Sequence, residues 1–327
     1  MPAPMRTLVT GGAGYIGSVV AQQLLDADHE VVVLDDLSRG HAGAIPAGAA
    51  HVDVSLLDRA ALDAPLAGID AVLHFAALAL VAESVEHPER YWSTNLGGTR
   101  NLLDAMRANG VGKLVFSSTC ATYGEPETVP ISEDEPTAPV NSYGASKLAV
   151  DRMLATECRA NGLGAASLRY FNVAGASGNL GEDHHPETHL IPLVLRTAAG
   201  AREHVSVYGT DYPTRDGTAV RDYIHIVDLG EAHLLALDTL EAGRHRVVNL
   251  GTGDGYTVRE VIEAARRVTG REIPVRDEGR RPGDPPELVA ANARAREELG
   301  WAPRRGLEEM IADAWEWHQA HPNGYGS

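Results

Sequence analysis

The sequence predicts an α/β protein built on a doubly wound parallel sheet, with a second, smaller α/β domain attached. Three observations carry that prediction. Short β-branched runs alternate with longer stretches of helical spacing through the first half of the chain. A glycine-rich turn follows the first of those runs at once, and an acidic pair, Asp35-Asp36, closes the second. Alternation of this kind places crossover helices on both faces of a parallel sheet.

Thr7–Thr10, Val31–Leu34, Ala71–Phe75, Lys113–Ser117 and Ala166–Tyr170 are apolar runs of the kind buried on both faces of such a sheet. His51-Val52-Asp53-Val54 adds a short third strand. Between them Tyr15–Ala27, Tyr91–Asn109 and Ser142–Asn161 repeat apolar residues at helical spacing, and Gly110 and Gly162 stand as stops after the last two. Beyond about Gly175 the composition shifts to Gly-, Pro- and His-rich loops with shorter elements at Leu190–Ala199, Val227–Leu240, Thr257–Thr269 and Leu307–His318. A first domain over residues 1–175 and a second over 176–327 follow. Val247–Leu250 again has the character of a buried strand, so segments near residues 213–255 are expected to rejoin the first sheet. The chain has no internal repeat or long linker, and the two parts should enclose a cleft.

A chain of 327 residues suits one large α/β unit or two closely packed domains. Its 28 Lys+Arg against 45 Asp+Glu give a formal charge of -17, spread along the sequence, which argues against nucleic-acid or anionic-membrane partners. Cys120 and Cys158 are too few for a disulfide framework or a cysteine zinc cluster, and suit a reducing cytoplasm. No basic segment followed by an apolar one precedes the first strand. The longest apolar stretch, Ile69 to Ala82, is interrupted by His74 and falls short of the ~20 residues of a membrane span. A cytoplasmic protein is expected.

Gly11-Gly12-Ala13-Gly14-Tyr15-Ile16-Gly17 satisfies both G-x-x-G-x-x-G and G-x-G-x-x-G, directly between a strand and a helix. Glycines there allow a tight turn, let the backbone approach a pyrophosphate, and seat the helix closely on the sheet, the Rossmann-type arrangement for a dinucleotide. Asp35 stands where a carboxylate accepts hydrogen bonds from the adenosine ribose and repels a 2′-phosphate, so NAD is favoured over NADP. Arg39 is near enough to pair with a phosphate but reads better as a surface loop residue. Asp53 is either a contact for the adenine amino group or a cap for the following helix. The expected cofactor contacts also include Asp36, Leu37, Ser38, Gly40, Val54, Phe75, Ala76, Ala77, Ala79, Asn95 and Phe171.

Tyr143-Gly144-Ala145-Ser146-Lys147 puts a phenol and an ammonium one turn apart on a helix. A free Tyr titrates near ~10, too high for a base at neutral pH, and a nearby Lys together with a positive nicotinamide ring favours tyrosinate. A hydroxyl from the strand end Ser117-Ser118-Thr119 completes the set; Thr119 is preferred, with Ser118 the near rival. Glu182-Asp183-His184-His185-Pro186-Glu187-Thr188-His189 has the look of a metal cluster, but Pro186 breaks its spacing and a solvated loop is the better expectation. Trp301, Trp315 and Trp317 are expected to be packing groups.

In their order, the glycine-rich turn, Asp35, the Ser-Ser-Thr strand end and Tyr143/Lys147 resemble the extended short-chain dehydrogenase/reductase family. Arg169-Tyr170-Phe171-Asn172, Tyr208-Gly209-x-Asp211-Tyr212-x-Thr214, Arg221-Asp222-Tyr223-Ile224-His225 and Arg280-Arg281-Pro282-Gly283-Asp284 resemble segments of its UDP-glucose 4-epimerase branch, and the likeness runs from Thr7 to near Tyr325. The resemblance implies that Thr119, Tyr143 and Lys147 are catalytic and that Asn172, Leu190, Ser206, Val207, Tyr208, Arg221, Arg281 and Asp284 hold a UDP-sugar, the two arginines on its diphosphate and Asp284 on its ribose. Leu288 would gate the sugar's 2-substituent. It implies further that Tyr143 takes the proton of the 4-hydroxyl while carbon 4 gives a hydride to NAD, and that the 4-keto sugar turns before the hydride returns. UDP-glucose and UDP-galactose are the expected pair, with UDP-N-acetylglucosamine or UDP-glucuronate as alternatives, and a homodimer through the Tyr91–Asn109 and Ser142–Asn161 helices is also implied. Two positions depart from the pattern: Ala79 stands where the family often has a cofactor-contacting Lys, and His189 where many members have Asn for the diphosphate. The dehydratase branch carries Asp-Glu after the strand-end Thr; Cys120-Ala121 here cannot serve an elimination. A non-catalytic NAD-binding sensor would have no need of the Tyr/Lys/Thr set.

Overall fold

The structure, a computed structural model, describes residues 4–281 and 283–326; Pro282, within the expected Arg-Arg-Pro-Gly-Asp segment, lies outside them. The chain begins β1 (Arg6–Thr10), α1 (Tyr15–Asp26), β2 (Glu30–Leu34), β3 (Ala50–Val52), α2 (Asp63–Leu66) and β4 (Ala71–His74). It continues with α3 (Val81–Glu86), α4 (Pro88–Tyr91), α5 (Gly98–Ala108), β5 (Lys113–Thr119), α6 (Ser142–Asn161), β6 (Gly164–Tyr170), β7 (Asn172–Ala174) and α7 (Leu190–Ala198). The remainder is β8 (Val205–Tyr208), β9 (Val220–Arg221), β10 (Tyr223–His225), α8 (Ile226–Asp238), β11 (His245–Leu250) and β12 (Tyr256–Thr257), then α9 (Val258–Thr269), β13 (Val275–Glu278), β14 (Glu287–Leu288), α10 (Ala293–Leu299) and α11 (Leu307–Ala320).

Seven parallel strands pair in the order β11-β6-β5-β4-β1-β2-β3. Because successive side chains of a strand face opposite ways, Val9 and Val33 join the core under α1 and α8, while Leu8 and Val32 join the core under α5 and α6. Burial on both faces is why these strands are continuous apolar runs, β6 being buried at every residue. The order reverses between β1 and β4, and a crevice at the carboxyl ends of the strands forms at such a reversal. The Val247–Leu250 run belongs to β11, the edge strand beside β6.

Helix α6 is bounded by local chemistry: the Asn141 side chain accepts from Gly144 N–H at 2.9 Å, and Gly162 turns left-handed at φ 75. The spacing over Tyr91–Asn109 predicts one helix; the chain instead passes from α4 through a π-helical segment, Trp92–Gly97, into α5. The wider turn brings Asn95 to the loop after β4, where its amide accepts from Leu78 N–H at 2.8 Å and donates to Leu78 O at 3.0 Å. In the second half α7, α9 and α11 share a separate core with β8, and α9 opens on a Thr257/Glu260 capping box. Trp301 and Trp317 are each 2% exposed and pack as expected, Trp301 donating to Asp228 O at 2.8 Å. Among the described residues no helix is long and apolar enough to cross a membrane.

Candidate active site

The glycine-rich turn is shaped by contacts that exclude side chains. A Cβ on Gly11 (φ +72) would lie 2.5 Å from Ala76 N, and one on Gly17 only 2.2 Å from Gly11 O. At Gly14 the only near atom is Gly11 O at 3.3 Å, and α1 starts there without a side-chain cap, leaving its first N–H groups for a ligand. Asp35 laces the turn to the end of β2: its carboxylate accepts from Ala13 N–H at 3.0 Å and Leu37 N–H at 2.9 Å. Burial raises its pKa, against those two bonds. Arg39 is committed to Glu83 at 3.1 Å. Asp53 is exposed just beyond β3, and the cap of the following helical turn is Asp58, which accepts from Ala61 N–H at 3.3 Å. Val54 follows it, half-buried, while Asp36 turns to Ser38 and accepts from its N–H at 3.1 Å. Gly40 backs onto Ala13, where a Cβ would come within 2.8 Å. Phe75 packs 4.9 Å from the His233 ring; Ala76 and Ala77 line the same turn, and Ala79 beyond them is exposed. A cradle that any Cβ would fill, a free helix start and a carboxylate beyond β2 together fit a dinucleotide.

One strand over, β5 delivers Thr119 and α6 delivers Tyr143 and Lys147. Thr119 stands by the Tyr143 phenol, whose pKa it lowers, and accepts from Ala121 N–H at 3.1 Å, while Ser118 is fully buried and donates to Asp151 at 3.3 Å, which separates the two rival hydroxyls. Lys147, 2% exposed, donates from Nζ to Ser117 O at 2.7 Å and lies 4.7 Å from the centre of the Phe116 ring. Burial pushes Tyr143 up to about 12, against the effect of Thr119, and pulls Lys147 down to about 7, with Asp151 opposing. Burial thus opposes tyrosinate, and a bound positive ring would favour it. Burial also lifts the neighbouring Cys120 thiol to about 12, leaving it inert.

A cavity of about 340 Å³ is lined by Asn172, His189, Leu190, Ser206, Tyr208, Arg221, Arg281 and Asp284 among others, and the charge of its Arg221 reaches Cys120, next to Thr119. Arg281 lies 3.9 Å from the centre of the Tyr208 ring, and Arg221 pairs with Asp284 across the wall. Asn172 donates to Asp222 O at 3.0 Å. Val207 departs from its expected place: β8 alternates, so Ser206 and Tyr208 face the cavity while Val207 is fully buried in the second core. Leu288 sits outside this cavity's lining, packed against the buried cluster of Tyr123, Ile131, Phe171 and Ala290. The Glu182–His189 segment is solvated over only part of its length: His185, Pro186, Thr188 and His189 are exposed, whereas Glu182 is 6% and Asp183 8% exposed.

Two positioning residues were not singled out from the sequence. Asp222, fully buried, accepts from Thr252 N–H at 2.7 Å, Gly253 N–H at 3.0 Å and Ala290 N–H at 3.1 Å, tying the loops after β11 and β14 together behind Arg221. Asp151 accepts from Arg169 Nε at 3.0 Å and Nη2 at 2.8 Å. Its signal was available, since Tyr143, Lys147 and Asp151 fall at successive turns of one helix face.

The description "NAD dependent epimerase/dehydratase family" matches residues 7–251. A UDP-glucose 4-epimerase of Streptomyces lividans is 57% identical over 323 residues, covering 98% of both chains. Among solved structures, a UDP-glucose 4-epimerase superposes at TM-score 0.95 with 46% identity, over 98% of this chain and 100% of that one. The Brucella ovis UDP-glucose 4-epimerase in complex with NAD superposes at 0.92 with 46% identity, over 96% and 98%. Likeness at that level, spanning the cradle, the Thr/Tyr/Lys group and the cavity alike, makes the chain a member of the NAD dependent epimerase/dehydratase family.

Proposed function

We propose that this protein is a UDP-glucose 4-epimerase, interconverting UDP-galactose and UDP-glucose with NAD in the Gly11–Gly17 cradle. The observation that carries the reading is the Thr119/Tyr143/Lys147 group, together with that cradle and a cavity furnished with Arg221 and Arg281. When bound, NAD supplies reversible hydride acceptance at carbon 4, which passes the sugar through a 4-keto form. The Tyr143 oxygen takes the proton of the 4-hydroxyl, and the Thr119 hydroxyl, beside that oxygen, shares it. Lys147 contributes a buried positive charge one turn away, which favours the ionised phenol. Arg221 and Arg281 hold the diphosphate by charge-assisted bonds, so the uridine end stays fixed while the sugar turns; Asp284, Tyr208, Asn172, Leu190 and the backbone of β8 complete the nucleotide's surroundings.

An elimination is disfavoured, because Cys120 and Ala121 follow Thr119 and neither moves protons near neutrality. Incubation with UDP-galactose, followed by separation of products, tests the function. UDP-glucose is expected at equilibrium; a dehydrated 4-keto product, or no turnover with NAD present, overturns it. A cytoplasmic homodimer through the Tyr91–Asn109 and Ser142–Asn161 segments is part of the proposal, with Trp92, 41% exposed, in the first of them; a monomer by sedimentation would remove that part.

A further inference from the structure

The segment joining β7 to α7 gathers Glu182, His184, Glu187 and His189 so that one donor atom from each lies within 4.8 Å of all the others. His189 Nδ1 is 2.6 Å from Glu182 Oε1 and 3.3 Å from Glu187 Oε1; His184 Nδ1 is 3.1 Å from that same Glu182 oxygen and 3.9 Å from Glu187 Oε2. Four ligands at 2.0–2.1 Å around a tetrahedral ion stand about 3.3 Å apart, within the span from 2.6 Å to 3.9 Å set by Glu182 Oε1, Glu187 Oε2 and the two Nδ1 atoms. Both imidazoles turn Nδ1 toward the same centre.

The state of Glu187 is the independent observation. Its side chain is 0% exposed, and Oε1 accepts from Thr188 and His189 N–H, both at 2.7 Å. Oε2 is buried with no hydrogen-bond partner among the described residues. An orphaned carboxylate oxygen is costly away from water. Two carboxylates with two neutral imidazoles carry a charge of about -2, and a proton on one imidazole removes only half of it while Oε2 stays unpartnered. A divalent cation neutralises the set and supplies the missing partner.

We propose that Glu182, His184, Glu187 and His189 bind one divalent transition-metal ion, with zinc matching this two-nitrogen, two-oxygen tetrahedral set. The ion fastens the loop to the start of α7, where His189 provides no side-chain cap of its own, and stiffens the cavity wall that Glu187 and His189 share. His189 then serves the metal rather than a diphosphate. The alternative is a metal-free network in which the carboxylates hold His189 as an imidazolium: burial works against that charge, but Glu182 and Glu187 raise its pKa.

Tag-free protein, stripped with a chelator and dialysed, is titrated with zinc chloride by calorimetry, and its metal content is measured by mass spectrometry. One zinc per chain at micromolar affinity or tighter is expected. Because loss of even an outer-shell partner costs metal sites about 10–100-fold, His184→Asn and Glu187→Gln should each weaken binding at least tenfold. His185→Asn, in the adjacent His41/Asp183/His185 group, should leave it unchanged. Cobalt loading should give the intense visible bands of a tetrahedral ion. No saturable zinc uptake by the unmodified protein overturns the site, as do uptake indifferent to both variants and weak octahedral cobalt bands; the first of these outcomes does not depend on any variant folding.

Discussion

Asp151→Asn removes one charge from a buried pair and leaves the shape almost intact. The carboxylate is 4% exposed and its Arg169 partner 6%, and Oδ2 takes both guanidinium bonds and the Ser118 hydroxyl. Oδ1 has no hydrogen-bond partner among the described residues, so an amide nitrogen placed there breaks no bond and the loss is one of charge. Breaking a buried pair by removing one partner costs about 3–5 kcal/mol, and the retained oxygen puts this case at the low end. At about 2 °C per kcal/mol for a large domain, the melting midpoint should fall by about 6 °C. Function should respond separately. Asp151 is the group that opposes the burial-driven fall of Lys147 toward about 7. Opposite charges one helical turn apart, at about 6 Å and an effective dielectric near 20, are coupled by about 2–3 kcal/mol, or one to two pKa units. Losing the anion lowers the lysine further, so its positive charge disappears at lower pH. Since that charge favours the Tyr143 oxyanion, the alkaline limb of the kcat–pH profile should move acid-ward by about one to two units. Differential scanning calorimetry and a pH–rate series measure the two effects. An unchanged alkaline limb beside a lowered midpoint would reduce Asp151 to a structural pair; an unchanged midpoint would refute the energetic reasoning.

Tyr143→Phe removes only the ionisable oxygen, and should cost on the order of a hundredfold or more in kcat while equilibrium binding of NAD and UDP, followed by calorimetry, stays near that of the unmodified enzyme. Gly17→Ala drives a Cβ to within 2.2 Å of a backbone oxygen, so the roughly 1 kcal/mol gained in helix propensity is outweighed by about 1–3 kcal/mol of overpacking, and NAD affinity should fall at least tenfold; unchanged affinity would mean that the turn does not carry the pyrophosphate. Leu288→Ala should raise kcat/KM for UDP-N-acetylglucosamine relative to UDP-glucose, within the ~1–3 kcal/mol that a pocket can discriminate sterically. A constant ratio with both activities lowered would instead mark Leu288 as packing for Phe171 and Tyr123.

The seven-stranded sheet was legible because its strands are buried on both faces, and a buried parallel strand leaves an unbroken apolar run bounded by turn residues. Helix α6 was legible to the residue, its ends being fixed by Asn141 and Gly162 within the local sequence. The break between α4 and α5 was not. Its cause is tertiary: Asn95 meets Leu78, across from the end of β4, and no periodicity in residues 91–109 carries that contact. The direction of the Val207 side chain was hidden for a related reason. The motif places β8 at the cavity, but strand alternation decides which of its side chains enter, and the neighbours that set its phase are β13 and α7.

Burial of the acidic segment after β7 depends on parts of the chain far away in sequence. The Trp317 ring sits where a Cβ on Gly181 would be, within 2.2 Å; Tyr325 accepts from Gly181 N–H at 2.9 Å and donates its own N–H to Asp183 at 3.0 Å. Charged residues around a proline belong in water, as His185 and His189 still do, and the C-terminal cover makes Glu182 and Asp183 interior. That cover changes their chemistry as well as their exposure. Carboxylates screened by solvent need no counter-charge, whereas Glu182 and Glu187 under it must share a proton or a metal ion. The same principle governs the net charge of -17, which by itself opposes two anionic ligands. Binding them requires cationic and N–H groups concentrated where the phosphates lie, and Arg221, Arg281 and the start of α1 are so placed by the strand ends rather than by the composition.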